Sequence, residues 1–267
     1  MTCSVELVCI GNELLTGRTA NTNATWLAKK MTSFGASVKR VTTVGDDAKE
    51  IRQAVRSVLA RAPDFILTSG GLGPTFDDVT IAAVSRAVGL PLRVNKEALN
   101  QIRARYREIF SPRRFVLTKF RLKMATFPVG ARPLPNPVGT APGMMLLAGR
   151  TSVICLPGVP RELRAIVSRH VVPLIRLRTK GEAYLSRTIQ LRRIFESELA
   201  PLINRVMKQH PEVYVKSHPQ GGEGRAMSRI RLDFSYRSHN SEKGRRILSE
   251  AIAEMTRLLA IRARRVS

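Results

Sequence analysis

Short apolar runs that stop on glycine or at a turn, each followed by a stretch with helical spacing, constrain this fold more than any other feature. Val5–Ile10 is such a run; it ends at Gly11 and reads as a buried strand. Asn23 can cap a helix that holds Trp26, Leu27 and Met31 and stops near Gly35. Val38–Val44 is β-branched and partly alternating, which marks a second strand. Asp46-Asp47 opens a helix with Ile51, Val55, Val58 and Leu59 on one face. Phe65–Thr68 is a third strand, broken by Ser69-Gly70-Gly71-Leu72-Gly73-Pro74, and a helix is predicted from about Asp77 to Val88. Strand–helix alternation of this kind predicts an α/β fold: a three-layer α/β/α arrangement around a mostly parallel sheet.

The stretch 95–125 reads as basic helix interrupted near Ser111-Pro112, and Gly130–Gly143 as loop, with four prolines. Met144–Leu147 and Val153–Leu156 pair around a Gly149-Arg150 turn, and Pro157–Pro160 leads into a helix holding Leu163, Ile166 and Val167. After residue 178 the pattern changes to strand 183–191, helix 196–209, strand 213–216, a Gly-rich turn at 220–224, strand 228–236 and helix 241–260. We read domains at 1–178 and 179–267, the second a smaller α+β module.

Charge is the compositional oddity. The 45 Lys+Arg against 20 Asp+Glu give +25, spread as +14 over 1–175 and +11 over 176–267. Such a field attracts phosphate-bearing partners, nucleotides or nucleic acid; a general arginine bias on solvated faces is the plainer reading. No apolar run approaches the roughly 20 residues that span a bilayer, and the N-terminus lacks signal-peptide character, so a cytoplasmic protein without membrane association is expected. Cys3, Cys9 and Cys155 are odd in number and irregular in spacing, which argues against disulfides and zinc.

The chemistry gathers at the strand ends. Ser69, Gly70, Gly71 and Gly73 let backbone N–H groups approach an anion, the following helix adds its positive end, and Thr75 offers a hydroxyl. The segment is neither a P-loop nor a dinucleotide fingerprint; a plain strand-to-helix turn capped by Asp77 is the alternative. Adjacent carboxylates at Asp77 and Asp78 suit a divalent cation completed by substrate phosphates, or simply the helix dipole. Glu13 after the first strand and Asp46 after the second fall on the same sheet edge, where open parallel sheets bind ligands.

Six segments occur in one order: Gly11–Gly17, Asn21-Thr22-Asn23, Val44–Asp47, Ser69–Thr80, Asn136–Gly143 and Leu156–Glu162. Together they closely resemble the CinA-related proteins, whose main domain shares the molybdopterin-binding fold of the Mog and MoeA proteins. The likeness covers about 4–178, and 185–260 resembles the smaller domain that follows in that family. It implies binding of a nucleotide or pterin phosphate, with metal-dependent hydrolysis of ADP-ribose or a related dinucleotide pyrophosphate as an activity. Long CinA proteins carry a further nicotinamide mononucleotide deamidase domain, which is not expected here. Asp77 stands where Mog-type proteins have Arg, and Arg121–Ala125 departs from the Asn-Arg-x-Gln-Ala of many bacterial members, resembling the stand-alone archaeal form.

On that reading the glycine-loop amides and Thr75 hold one phosphate. A cation (Mg²⁺, Mn²⁺ or Co²⁺) binds Asp78, with Asp77 or Glu13, and Asp46 orients or deprotonates the water. Asn21 and Asn23 bind ribose or phosphate, or act as caps. Gly139, Thr140 and Gly143 form a further wall, and Gly158 exposes backbone groups. Two other readings stand beside it. One is a non-catalytic binding protein for molybdopterin or nucleotide. The other is RNA binding through the small domain, where Gly221–Gly224 matches a G-x-x-G clamp but is read between strands and holds Glu223. A homo-oligomer is expected on general grounds.

Overall fold

The computed structural model describes residues 3–110, 116–220 and 228–266. The G-x-x-G match at 221–224 and the Ser111-Pro112 interruption lie outside them. Contacts divide the chain into two units, residues 1–32 with 36–179 and residues 33–35 with 180–267.

In the first unit, β1 (Ser4–Ile10) leads through a short α1 (Asn12–Leu15) to α2 (Thr22–Ser33) and β2 (Ser37–Val44). Then come α3 (Ala48–Ala60), β3 (Phe65–Ser69) and α4 (Thr80–Val88). A middle section holds β4 (Leu92–Val94), α5 (Lys96–Phe110), α6 (Lys119–Met124), β5 (Thr126–Pro128) and β6 (Arg132–Leu134). It closes with β7 (Gly143–Ala148), β8 (Thr151–Leu156), α7 (Pro160–Ile166), a π-turn at Val167–Val171 and α8 (Val172–Arg178).

The sheet order is β2-β1-β3-β8-β7-β6. The first four strands are parallel; β7 and β6 add antiparallel at one edge. Val8, Ile10, Ile66, Val153 and Cys155 pack with Ile51 and Val55 of α3 and Val84 of α4. Their alternates Leu7, Cys9, Leu67, Ile154 and Leu156 point to the other face and are equally buried. A sheet buried on both sides explains why these strands read as largely apolar runs, the buried Glu6 of β1 being paired with Arg61 at 2.6 Å. Each such side chain contributes roughly 1.5–3 kcal/mol of burial. Burial pushes the Cys155 thiol up to about 12, so it stays protonated and unreactive.

Three boundaries differ from expectation. The stretch 130–143 holds β6, whose Arg132–Leu134 is licensed by its position at the sheet edge, where Pro133 forfeits no ladder bond to a second neighbour. β4 and β5 pair as a separate two-stranded ribbon, too short to show periodicity. The helix predicted from Asp77 starts at Thr80, because the turn before it is closed by side chains described below.

At the opposite end of the sheet, Asp64 accepts from Ser4 N (2.8 Å), Ser4 Oγ (2.9 Å) and Arg178 Nε (2.9 Å). Burial pushes this carboxyl up, but those hydrogen bonds and the Arg178 charge outweigh it and hold it below the usual carboxylate range. A depressed native value means the stabilisation is present above the unfolded value, near 4, and is lost as pH falls through the native one. The thermal midpoint is therefore expected to drop below about pH 4, and Asp64→Asn should flatten that drop in a melting series from pH 3 to 7.

The second unit contains β9 (Ala183–Arg192), α9 (Glu196–Gln209), β10 (Tyr214–Gln220), β11 (Arg229–Ser238) and α10 (Ser241–Val266). Its antiparallel sheet has the order β10-β11-β9. Val215, Ile230, Leu232 and Phe234 meet Leu199 and Val206 of α9 and Leu248 and Met255 of α10 on one face.

Candidate functional site

Parallel register places the carboxyl ends of three strands side by side: Cys9 is opposite Ser69, and Ser69 is opposite Leu156. The chain turns away from each through Gly11, Gly70 and Pro157, leaving a cleft of about 420 Å³ there. A smaller recess of about 100 Å³, lined by Thr19–Asn23 and Ser69, shares Ile10, Glu13 and Gly158 with it.

The glycine loop is built by close approach. Gly70 has φ +110, and a Cβ there would overlap the Ile10 carbonyl oxygen; at Gly71 (φ +67) it would overlap Thr80 Oγ1. Thr80 Oγ1 donates to Gly70 O (2.9 Å), stapling the loop to the start of α4. Gly70 N is spent on Leu156 O (3.0 Å), so the expectation that this amide meets a ligand is corrected. The amides of Gly71, Leu72 and Gly73, all lining the cleft, have no acceptor among the described residues.

Beyond the glycines, Asp78 Oδ2 accepts from Thr75 N (2.8 Å) and lies 2.6 Å from Thr75 Oγ1, which also contacts Asp77. That hydroxyl holds the Asp77 carboxyl below its usual range. Lys123 Nζ donates to the Thr75 carbonyl. Thr75 thus draws the two carboxylates together and does not itself line the cleft, contrary to its expected ligand contact. Neither aspartate caps α4, whose N-cap is Val79.

Asp46 and Asn12 clasp each other: Asn12 N donates to Asp46 Oδ2 (2.8 Å), and Asp46 N to Asn12 Oδ1 (3.3 Å). Asp47 is the N-cap of α3, accepting from Lys49 N and Glu50 N. Asn21, not Asn23, caps α2, accepting from Ala24 N at 3.0 Å. Asn23 Nδ2 instead donates to Gly158 O (2.7 Å), so that carbonyl is occupied. Gly143 is buried at the start of β7 and does not line the cleft. Gly139 donates its amide to Asn136 Oδ1 (2.8 Å), leaving Thr140 to face the space.

Glu162, in the first turn of α7, was not singled out from sequence. Its Oε2 accepts from Asn136 Nδ2 (2.7 Å), and the same Nδ2 reaches Ala141 O at 2.9 Å. Gly139 leaves room for that carboxylate, since a Cβ there would overlap it. The signal was the pairing of the Asn136 and Pro160-Arg161-Glu162 motifs, which only the fold brings together.

Glu13, Asp46, Asp77, Asp78 and Glu162 therefore ring the cleft, a quarter of the chain's 20 acidic residues. Among the described residues no Lys or Arg is in the lining. The donors are all hard oxygens, which suit Mg²⁺-like cations. Among the described residues no three His, Cys, Asp or Glu side chains group closely enough to enclose an ion. A cation held by the converging Asp77 and Asp78 would thus take its remaining ligands from water and phosphate, a set these residues fit.

Residues 6–177 match the family model described as a probable molybdopterin binding domain. A solved structure, the protein CinA of unknown function from Thermoplasma acidophilum, is 41% identical over 64% of this chain and 98% of that one, with a TM-score of 0.59. The chain is a CinA-related member of the molybdopterin-binding domain family. This CinA-related chain is also similar to a protein of Pyrobaculum aerophilum, 41% identical over 256 residues, covering 96% of this chain and 94% of the relative. A Metallosphaera sedula protein is 36% identical over 248 residues, covering 93% and 91%. Among the described residues no helix is long and apolar enough to cross a membrane.

Proposed function

We propose that the first unit binds a small molecule with linked phosphates, a nucleotide or pterin phosphate, and hydrolyses a pyrophosphate bond such as that of ADP-ribose. The observation that carries this reading is the ring of five carboxylates around three amides that have no acceptor among the described residues, where no described lysine or arginine lines the cleft and Lys123, beside the glycine loop, is turned to the Thr75 carbonyl. A bare phosphate would be repelled there; a phosphate–cation complex would not.

The amides of Gly71, Leu72 and Gly73 hold phosphate oxygens where the missing Cβ atoms permit approach. Asp77 and Asp78 hold the cation. When bound, the cation neutralises phosphate charge and acidifies a water. Asp46, one oxygen fixed by Asn12, has its other oxygen to accept the proton as water attacks phosphorus. The P–O bond to the bridging oxygen breaks, leaving two monophosphates. Asn136 holds Glu162 in the lining of the cleft, where its carboxylate would orient the leaving side.

Incubation with ADP-ribose and Mg²⁺, Mn²⁺ or Co²⁺, followed by chromatography over hours, should yield AMP and ribose 5-phosphate. Tight ligand retention with no product under every cation would instead establish a binding protein.

A further inference from the structure

The acidic cleft leaves the chain's positive charge unexplained. The second unit alone, residues 180–267, has 18 Lys and Arg against 9 Asp and Glu. Its sheet has an open face. Both helices pack on the side of Ile230, Leu232 and Phe234, so the alternate residues point the other way. Register sets these in rows across the three strands: Lys216–Asp233–Thr188, His218–Arg231–Gln190 and Gln220–Arg229–Arg192. Lys216, Arg229 and Arg192 are exposed and have no ion-pair partner among the described residues. The one acid in these three rows, Asp233, is already engaged by Arg231 Nη2 (3.2 Å), His218 Nε2 (3.1 Å) and Thr188 Oγ1 (2.7 Å).

We propose that this open sheet face binds single-stranded nucleic acid, RNA in the first instance. Successive cations along β11 stand roughly 6.7 Å apart and neighbouring strands about 4.8 Å apart, a grid of positive charge on which an extended backbone can lie. Between the cations sit amide, hydroxyl and imidazole groups, which hydrogen-bond base edges, and arginine planes, on which bases stack. Tyr214, 55% exposed, adds an aromatic surface one row beyond Lys216. A flat three-stranded face does not enter a duplex groove, whereas splayed bases of a single strand lie across it. An acidic peptide would more naturally extend an edge strand than cover a polar face. A lipid surface would require apolar side chains, and this face has almost none.

The test is fluorescence anisotropy of the whole protein with a labelled 12-nucleotide oligo-U RNA, titrated at several salt concentrations. Arg192→Ala/Arg229→Ala removes two charges from the face. Arg245→Ala/Arg246→Ala removes two exposed charges from α10 and serves as the control. Circular dichroism checks that both pairs fold. The face pair should weaken binding at least about tenfold and lower the salt slope by about 1.4, the value for two lost phosphate contacts on a single strand. The control should change affinity less than threefold. Equal losses in both pairs, no binding at low salt, or tighter binding of the duplex form would each overturn the proposal. None of these outcomes depends on turnover in the cleft.

Discussion

Asp78→Ala is expected to lower the proposed ADP-ribose turnover at least about 100-fold, the scale of losing one fixed electrostatic contact in a reaction that runs on charge neutralisation. Fold is retained, because Asp78 is only half-buried and its bonds to Thr75 close a surface turn. The loss falls on kcat at saturating cation if the carboxylate acts in the transition state, and on the cation requirement if it mainly holds the ion. Asp77→Asn, at an exposed position, should show the same direction with a smaller effect. Steady-state kinetics over a Mg²⁺ series separates these cases. Wild-type turnover in Asp78→Ala would remove the assignment.

Gly70→Ala is expected to destabilise the protein by about 3 kcal/mol, because the added methyl meets the rigid backbone carbonyl of Ile10 at a φ that side chains rarely adopt. In a protein of this size that corresponds to a fall of about 6–12 °C in Tm. Gly73→Ala behaves differently. Its Cβ would stand 2.6 Å from Asp78 Oδ2, the end of a side chain, at an ordinary φ. The carboxylate yields, stability changes by less than about 1 kcal/mol, and turnover falls because Asp78 is displaced. Calorimetric melting and activity on the two variants distinguish a glycine required by strand packing from one required by the site. Equal melting temperatures would contradict the close-approach account.

The fold was legible where local pattern and burial agree. Val5–Ile10 and Phe65–Thr68 are predominantly apolar because both sheet faces are covered, Glu6 being buried against Arg61 as the exception in the first, and Asp47 caps α3 as its position before an amphipathic run suggests. β4 and β5 were not legible: three-residue strands have no measurable period, and all three residues of β4 are exposed. The site was legible as a set of strand ends, since topology alone brings Glu13, Asp46, Asp77 and Asp78 to one edge. Individual duties were not. Whether Asn21 or Asn23 caps α2 depends on one residue of register, and the spending of Gly70 N on Leu156 is a contact across 86 positions of sequence. Glu162 was hidden because its partner Asn136 lies 26 residues away.

We infer that the carboxylate-ringed cleft takes phosphates together with a divalent cation. Calorimetric titration with a methylene-bridged ADP analogue, which cannot be cleaved at the bridge, tests it directly. Saturable binding with Mg²⁺, weakened at least about tenfold by EDTA and by Asp78→Ala, is the predicted result. Equal affinity with and without the cation would contradict it.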